Sequence, residues 1–416
     1  MNKKLKILIS CYACSPKRGS EPGMGWSFVN GLSKQHEVHV IVEKEKWKKD
    51  ILEQLSKTPN NNLKFYFIQK ERNRFLRKIW PPSYYWYYKV WQKDAFSLAK
   101  KLEKRENFDL IHQLNMVGYR EPGYLWRIKK PFVWGPIGGT ENVPWKLFSL
   151  FDFNGKIFHG IRNILNGFQK TFLKRPRLAA NKKKSTLIAA TPDIQRSIKR
   201  LWNQESEIIT EVGTVDLPNI KVLRRDKNEP LKIVWSGQHT SGKALHVLLR
   251  SLALLEKDVH WELHILGKGK QTKKWKNLAK KLKIHKNCTW YGWIEKSVAL
   301  DVMKSSHILV ITSLKDLTSS VILEGISLGL PVISLDHCGF SFVINDSCGI
   351  KIPVDEPRKV FINIKNAIVK LEKYENYRVS LSKGALERAK DFSWEGKVEE
   401  LNSIYKKLIE YFLIYC

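Results

Sequence analysis

The chain has 416 residues, with 73 Lys and Arg against 40 Asp and Glu, for a formal charge of +33. That length exceeds what one compact core accommodates and fits two domains of similar size. The charge draws nucleic acid, anionic lipid or phosphorylated substrates alike, and no stretch approaches the ~20 uninterrupted apolar residues of a bilayer-spanning helix.

Lys6 to Ser10 is a short apolar run that predicts a strand, leading into Cys11 and Cys14. The other cysteines, at 288, 338, 348 and 416, complete no four-ligand set with this pair, so buried thiols in a reducing cytoplasm are expected. Leu8-Ile9-Ser10-Cys11 matches a lipoprotein cleavage box, but Lys6 interrupts an apolar run too short for a signal segment. Next comes Gly19-Ser20-Glu21-Pro22-Gly23-Met24-Gly25-Trp26, whose spacing is not the dinucleotide Gly-x-Gly-x-x-Gly. A glycine loop between a strand and a helix lets backbone approach a ligand, with Gly23 and Gly25 as candidates, or simply forms a tight turn.

A helical pattern from about Trp26 to Lys34 precedes strands at Glu37 to Val42 and Leu63 to Ile68. Arg72 to Trp80 and Tyr84 to Trp91 then interleave cations with aromatic rings. Such a segment suits a headgroup layer, stacks on single-stranded nucleic acid, or packs as ordinary aromatic core. A helix from Trp91 to Arg105 follows, then strands at Leu110 to Gln113, Phe132 to Trp134 and Leu187 to Ala190. Strands alternating with helices predict a doubly wound parallel sheet. His112 is read as ending its strand, with the imidazole directed to the carboxyl edge, where it touches a ligand or is merely structural.

The polar stretch Asp216 to Pro230 reads as a linker. Strands then recur at Leu231 to Ser236, Trp261 to Leu266, Thr289 to Tyr291, His307 to Thr312 and Val332 to Leu335, with helices at Lys243 to Leu255 and Lys273 to Leu282. The C-terminal pattern from about Trp394 to Tyr415 is helical and aromatic, suited to packing back on the first domain. The expected division is therefore 1–218, 219–393 and a crossing helix at 394–416.

Two loops of the second half carry chemistry. Ser236-Gly237-Gln238-His239-Thr240-Ser241-Gly242-Lys243 follows its first strand, and a lysine there neutralises a departing diphosphate. Asp316, then Thr318-Ser319-Ser320, then Glu324 and Gly329-Leu330-Pro331-Val332 predict a hydroxyl-rich turn, a short helix with one carboxylate in its second turn, and a buried strand. The amino end of such a helix offers N–H groups to a phosphate, and Glu324 stands about one turn further in, within reach of a ribose diol.

The segment resembles the paired-acid segment of retaining family 4 glycosyltransferases, which carry Glu, seven residues, Glu, a small-residue helix and a Gly-x-Pro-Val strand. Here Asp316 replaces the first Glu, and Gln238 stands where the family has an arginine, while Lys243 is kept. The resemblance covers nearly the whole chain, is strongest from Ile308 to Ile352, and thins from about Lys46 to Lys104 and from Phe148 to Lys184. It implies a GT-B fold, two Rossmann-like domains facing a cleft, with a nucleotide diphosphate sugar as donor and a lipid-linked saccharide as the expected acceptor. It also implies roles: Lys243, Gln238 and Gly237 with the N–H groups of Thr318, Ser319 and Ser320 on the diphosphate, Glu324 on the ribose, Asp316 on the donor sugar, and His112 on the sugar hydroxyls. Tyr291-Gly292-Trp293-Ile294 is placed beside the base, Val133 to Gly139 on the acceptor side, and Glu211 to Asp216 near the interdomain crossing.

With Asp152-Phe153-Asn154 lacking a second carboxylate, no Asp-x-Asp holds a metal, so cofactor-free and metal-independent transfer is expected. The lipid-linked acceptor favours a peripheral contact of Arg72 to Trp91 with the anionic cytoplasmic face of the membrane, and no nucleic acid partner. The competing readings are a nucleotide-sugar epimerase or a pyridoxal phosphate-dependent phosphorylase on the same fold, and a non-catalytic basic protein binding nucleic acid or membrane.

Overall fold

Short Val-, Ile- and Leu-rich runs bounded by Gly, Pro or polar residues become strands, the inner ones buried on both faces, as expected for parallel sheets covered by helices. The computed structural model describes residues 4–80, 83–214, 217, 220–226 and 228–414, without the side chains of residues 74 and 411–414. The expected boundary at 218/219, the pair Val215-Asp216 and Cys416 lie outside the described residues. The chain runs β1 (Lys6–Cys11), α1 (Ser20–Leu32), β2 (Glu37–Glu43), α2 (Lys44–Lys57), β3 (Leu63–Ile68), α3 (Arg74–Ile79), α4 (Ser83–Glu106), β4 (Leu110–Asn115) and β5 (Phe132–Ile137). It continues through α5 (Phe153–Phe172), α6 (Lys174–Ala180), β6 (Ser185–Ala189), α7 (Pro192–Trp202) and β7 (Ser206–Ile208). A second series follows: β8 (Leu231–Ser236), α8 (Leu245–Leu252), β9 (Trp261–Leu266), α9 (Thr272–Lys281), β10 (Cys288–Gly292), α10 (Lys296–Lys304) and β11 (Ile308–Ile311). It closes with α11 (Ser320–Ser327), β12 (Val332–Leu335), α12 (Phe340–Val343), β13 (Gly349–Ile352), α13 (Pro357–Lys373), α14 (Glu375–Lys390) and α15 (Trp394–Ile414).

Two compact units result. The first holds the chain up to Glu141, Phe168–Val212 and the chain from Trp394, and the second holds Asn142–Gly167 and Gly213–Ser393. The first carries a seven-stranded sheet in the order β3-β2-β1-β4-β5-β6-β7, the second a six-stranded sheet in the order β10-β9-β8-β11-β12-β13. All pairings within both sheets are parallel, with Ile9 opposite His112 in the first and Leu309 opposite Val332 in the second.

In each sheet the strand order reverses once, between β1 and β4 and between β8 and β11. At such a switch point the helices leave on opposite faces and open a crevice at the carboxyl ends of the strands, where doubly wound folds take ligands.

The first core gathers Ile7, Ile9, Phe28, Val38, Val40 and Leu114, closed by Val398, Leu401 and Tyr405 of α15. Close helix packing explains Gly31, since an added Cβ would run into Val398. The Trp394 ring meets Phe28 edge-on at 5.3 Å. Lys397 is buried on the same helix, and desolvation pushes its ammonium down to about 7. It donates to the Thr210 carbonyl at 3.1 Å. The second core centres on Trp235, Leu248, Leu263, Ile265, Val310 and Ile333. Cys11, Cys14, Cys288, Cys338 and Cys348 are free thiols, all but Cys288 buried.

Candidate active site

Gly237 to Lys243 leaves the end of β8 and Thr312 to Asp316 leaves the end of β11, so both loops border the switch point of the second sheet. They are latched together. Trp235 Nε1 donates to Thr312 Oγ1 at 3.0 Å, Thr312 Oγ1 donates to the Lys243 carbonyl at 3.1 Å, and Leu314 N donates to the Gly242 carbonyl at 2.7 Å. The latch brings the Lys243 ammonium into contact with the Asp316 carboxylate, and both side chains keep roughly a quarter of their surface open, 24% and 21%.

Glycines hold the neighbouring strand ends close. Gly267 after β9 has φ +106°, and a Cβ there would collide with the Gly237 carbonyl; its N–H donates to the Gly292 carbonyl at 2.8 Å. Gly237 itself has room for a Cβ, whose nearest neighbour would lie 3.5 Å away. Gln238 is exposed, Ile294 half-buried between β10 and α10.

α11 begins at Ser320, with Ser319 as its N-cap at φ +74°, a conformation that is strained for a side-chain-bearing residue. The Ser319 side chain makes no capping hydrogen bond, so the first-turn N–H groups, which have no acceptor within the helix, meet no hydroxyl of the cap. Thr318 is fully buried. Gly339 braces this turn: its N–H donates to the Leu317 carbonyl at 2.7 Å, and a Cβ there would lie 2.7 Å from Thr318 Cα. Glu324 sits in the second turn with 16% of its side chain exposed, 3.2 Å from Lys296 Nζ at the start of α10. Burial pushes its carboxyl above the ordinary range, and Lys296 only partly counters this.

Lys296 and Gly339 are functional neighbours that the sequence motifs do not mark. A lysine 28 positions from its acid carries no signal in so lysine-rich a chain, whereas the Cys-Gly-Phe turn at Gly339 is visible as a break after a strand.

The first unit corrects the reading of His112. β4 does not end there but runs on to Asn115, so His112 lies mid-strand and fully buried. Its Nδ1 bonds the Tyr405 hydroxyl at 2.6 Å and its Nε2 the Gly135 carbonyl at 2.8 Å. Desolvation pushes the imidazole down to about 4, keeping it neutral, and neither nitrogen is left for a sugar hydroxyl. Asn115 stands at the strand end instead. Its amide accepts from Ala13 N at 3.2 Å and donates to the Ala13 carbonyl at 2.7 Å, fixing the loop after β1.

Gly23 and Gly25 lie inside α1, and internal packing accounts for both: a Cβ would meet the Arg18 carbonyl at Gly23, and the Ala13 carbonyl and Cys11 Sγ at Gly25. Beside them the largely buried Glu21 accepts from Val117 N at 2.6 Å, and desolvation raises its carboxyl.

Asp152 is engaged within the protein, accepting from Ser241 Oγ at 2.7 Å, Gln271 Nε2 at 2.8 Å and Gly155 N at 3.0 Å. Glu37, His39 and Glu106 bring ligand atoms within 4.8 Å of one another, but Lys64 binds Glu37 at 2.7 Å and Lys6 and Arg105 bind Glu106 at 3.3 and 2.9 Å. In the basic aromatic segment Tyr88 and Trp91 are core residues, while Phe75, Ile79, Trp80, Tyr85 and Trp86 are exposed.

Residues 219–388 match the family model described as Glycosyl transferases group 1. The chain carries a group 1 glycosyl transferase domain. That domain contains every element just described around Lys243, Asp316 and Glu324. A stretch of 153 residues, 36% of the chain, is 33% identical to the lipopolysaccharide 1,6-galactosyltransferase of Salmonella typhimurium and covers 42% of it. Eighty residues, 18% of the chain, are 34% identical to its Escherichia coli K12 counterpart and cover 22% of that protein. The matched stretches thus span less than half the length of these relatives. The fold as a whole is similar to Anabaena HepE, solved in complex with UDP, at a TM-score of 0.65 and 14% identity over 97% of this chain and 100% of that one. The group 1 domain and the first unit are therefore the two Rossmann-like halves of a GT-B fold.

Proposed function

We propose that this chain is a retaining glycosyltransferase that moves a sugar from a nucleoside diphosphate to a saccharide acceptor, lipid-linked, in cell-surface polysaccharide assembly. The observation that carries the reading is the contact of Lys243 with Asp316 at the mouth of α11, with Glu324 one turn further in, all at the switch point of the group 1 domain. The names of the galactosyltransferase relatives and the UDP bound by HepE support the class of donor and acceptor.

In this reading the donor diphosphate takes the place of Asp316 on the Lys243 ammonium. It also accepts from the N–H groups of Thr318, Ser319 and Ser320 and lies along Gly237 and Gln238. The ribose diol donates to Glu324, Ile294 lies against the base, and the released Asp316 carboxylate turns to the donor sugar. Gly23 and Gly25 act by holding the α1 entry close to β1. The bond from the anomeric carbon to the diphosphate breaks as the bond to the acceptor oxygen forms on the same face. The acceptor proton passes to the leaving phosphate oxygen, so no enzymic base is required. Asp152 is tied to Ser241, Gln271 and Gly155, which favours metal-independent transfer.

No helix among the described residues is long and apolar enough to cross a membrane. A lipid-linked acceptor instead places the chain against the anionic inner face of the cell membrane.

Release of nucleoside diphosphate from a panel of nucleotide sugars, with the anomeric configuration of the product read by NMR, tests the reading. The expected result is release from at least one donor with configuration retained. Release from none would leave a non-catalytic basic protein, and an altered sugar still attached to its nucleotide would indicate an epimerase.

A further inference from the structure

The helix α5 is amphipathic in the reverse sense. Its inward face is polar: His159, Asn163 and Asn166 are buried beside Gly155. Asn163 accepts from Val143 N at 3.0 Å and donates to the Val143 carbonyl at 2.8 Å, and Asn166 donates to Asn142 Oδ1 at 2.7 Å. Its outward face carries Phe153, Ile157, Phe158, Ile161, Ile164 and Leu165, each between 47% and 75% exposed. At about 100° per residue these six fall within one arc of roughly 140°. Phe168 and Phe172, in the last turns of the helix, fall on the same arc and are also exposed. A solvated helix buries its apolar stripe and exposes its polar one; single exposed apolar residues are ordinary, but a continuous stripe of large ones calls for a cover.

Charge indicates what covers it. From Phe153 to Pro192 the sequence holds no Asp or Glu, while Lys156, Arg162, Lys170, Lys174, Arg175 and Arg177 are followed by Lys182-Lys183-Lys184. Not every cation is available, since Arg175 pairs with Glu121 and Lys182 donates to the Ile128 and Lys130 carbonyls. Lys156 and Arg162, which flank the stripe on the helix, are exposed. A second copy laid on the same stripe would set these cations against themselves, with no acid in the helix to offset them.

We infer that the outward face of α5 is the surface by which this chain lies on an anionic lipid bilayer, its rings at the acyl boundary and Lys156 and Arg162 among the headgroups. The inference rests on the membrane part of the proposed function and assigns it to a different element from the basic aromatic segment of α3 and α4.

The test is flotation of the full chain with vesicles of phosphatidylcholine alone and of phosphatidylcholine with phosphatidylglycerol. It is run for the native protein, for Ile157→Asp with Ile164→Asp, and for Phe75→Ser with Trp86→Ser as the comparison pair. Ile157 and Ile164 are exposed, so the melting temperature of their double variant should match the native one. The native chain should float with the mixed vesicles and less so at high salt. The α5 variant should float at least about tenfold less, while the comparison pair floats nearly as well as native. If the α5 variant floats like the native chain, α5 is not the element, although the membrane reading stands. If the native chain stays in the soluble fraction, both fall. If the native chain is a dimer that the α5 substitutions dissociate, the stripe covers a second copy and the inference is overturned.

Discussion

The ammonium of Lys243 and the carboxylate of Asp316, 73 residues apart in the chain, neutralise each other at the mouth of α11. A pair in which each partner keeps some solvent exposure is held by modest net energy, so an incoming diphosphate can take over the lysine. Removing the acid should then help the nucleotide and harm the reaction. Asp316→Asn is expected to bind nucleoside diphosphate as tightly as the native chain or a few-fold more tightly, while sugar transfer falls at least about a hundredfold. Lys243→Ala should weaken nucleoside diphosphate by about tenfold or more, the loss of one charge-assisted bond of about 1.5 to 3 kcal/mol. Calorimetry on both variants checks this, and equal losses in the two would contradict it.

Glu324 offers a second, separable measurement. Its carboxylate, largely buried beside Lys296, is assigned to the ribose diol, so Glu324→Gln should reduce nucleotide affinity by about tenfold to a hundredfold at unchanged melting temperature. Inorganic pyrophosphate, which has no ribose, should bind the variant as it binds the native chain. An equal loss for both ligands would remove Glu324 from the ribose.

Two glycines near the site should behave oppositely. Gly339→Ala places a Cβ 2.7 Å from backbone atoms of Leu317 and Thr318, so the turn must move; about 1 to 3 kcal/mol of stability and much of the nucleotide affinity should be lost together. Gly237→Ala meets only ordinary van der Waals contacts and should leave the melting temperature unchanged, acting only through its approach to the ligand. Thermal denaturation with and without nucleoside diphosphate separates the two.

Acid should destabilise the chain well above the range where carboxylates titrate. Desolvation pushes His112, His239 and His307 down to about 4. In the unfolded chain these imidazoles take up protons near pH 6.5, whereas in the folded chain they stay neutral to about pH 4. The unfolded state therefore binds more protons across that window, and stability is lost as pH falls through it. For the fully enclosed His112 the loss approaches about 3 kcal/mol, at about 1.4 kcal/mol per pH unit. Urea denaturation midpoints should fall steadily between pH 6.5 and 4.5; a flat profile would contradict the neutral, buried histidines.

Much of this architecture is legible in the sequence, because Leu63–Ile68, Leu231–Ser236, Trp261–Leu266 and Val332–Leu335 are apolar runs with clear breaks at both ends. The sequence pattern ends this strand at Gln113 rather than Asn115, because Asn115 is polar although fully buried, and burial is invisible to a pattern of apolar residues. A strand ended early makes the core residue His112 look like a strand-end ligand. The helix α5 is harder to read although its apolar residues recur every three to four positions, since the resemblance thins there and a periodic stripe does not announce which way it faces. Asp316 and Glu324 were readable because one local segment places both. Their partners Lys243 and Lys296 come from other segments of the chain, and only Lys243 has a motif to mark it.

The central claim, a pyrophosphate held at the amino end of α11, is tested most directly by hydrogen exchange of backbone amides with and without saturating nucleoside diphosphate. Amides of Thr318 to Val321 and of Gly237 to Lys243 should slow markedly in the complex, and the protection should shrink in Lys243→Ala. Saturating nucleotide that leaves Thr318 to Val321 exchanging as in the free chain, with protection confined to other segments, would contradict the account.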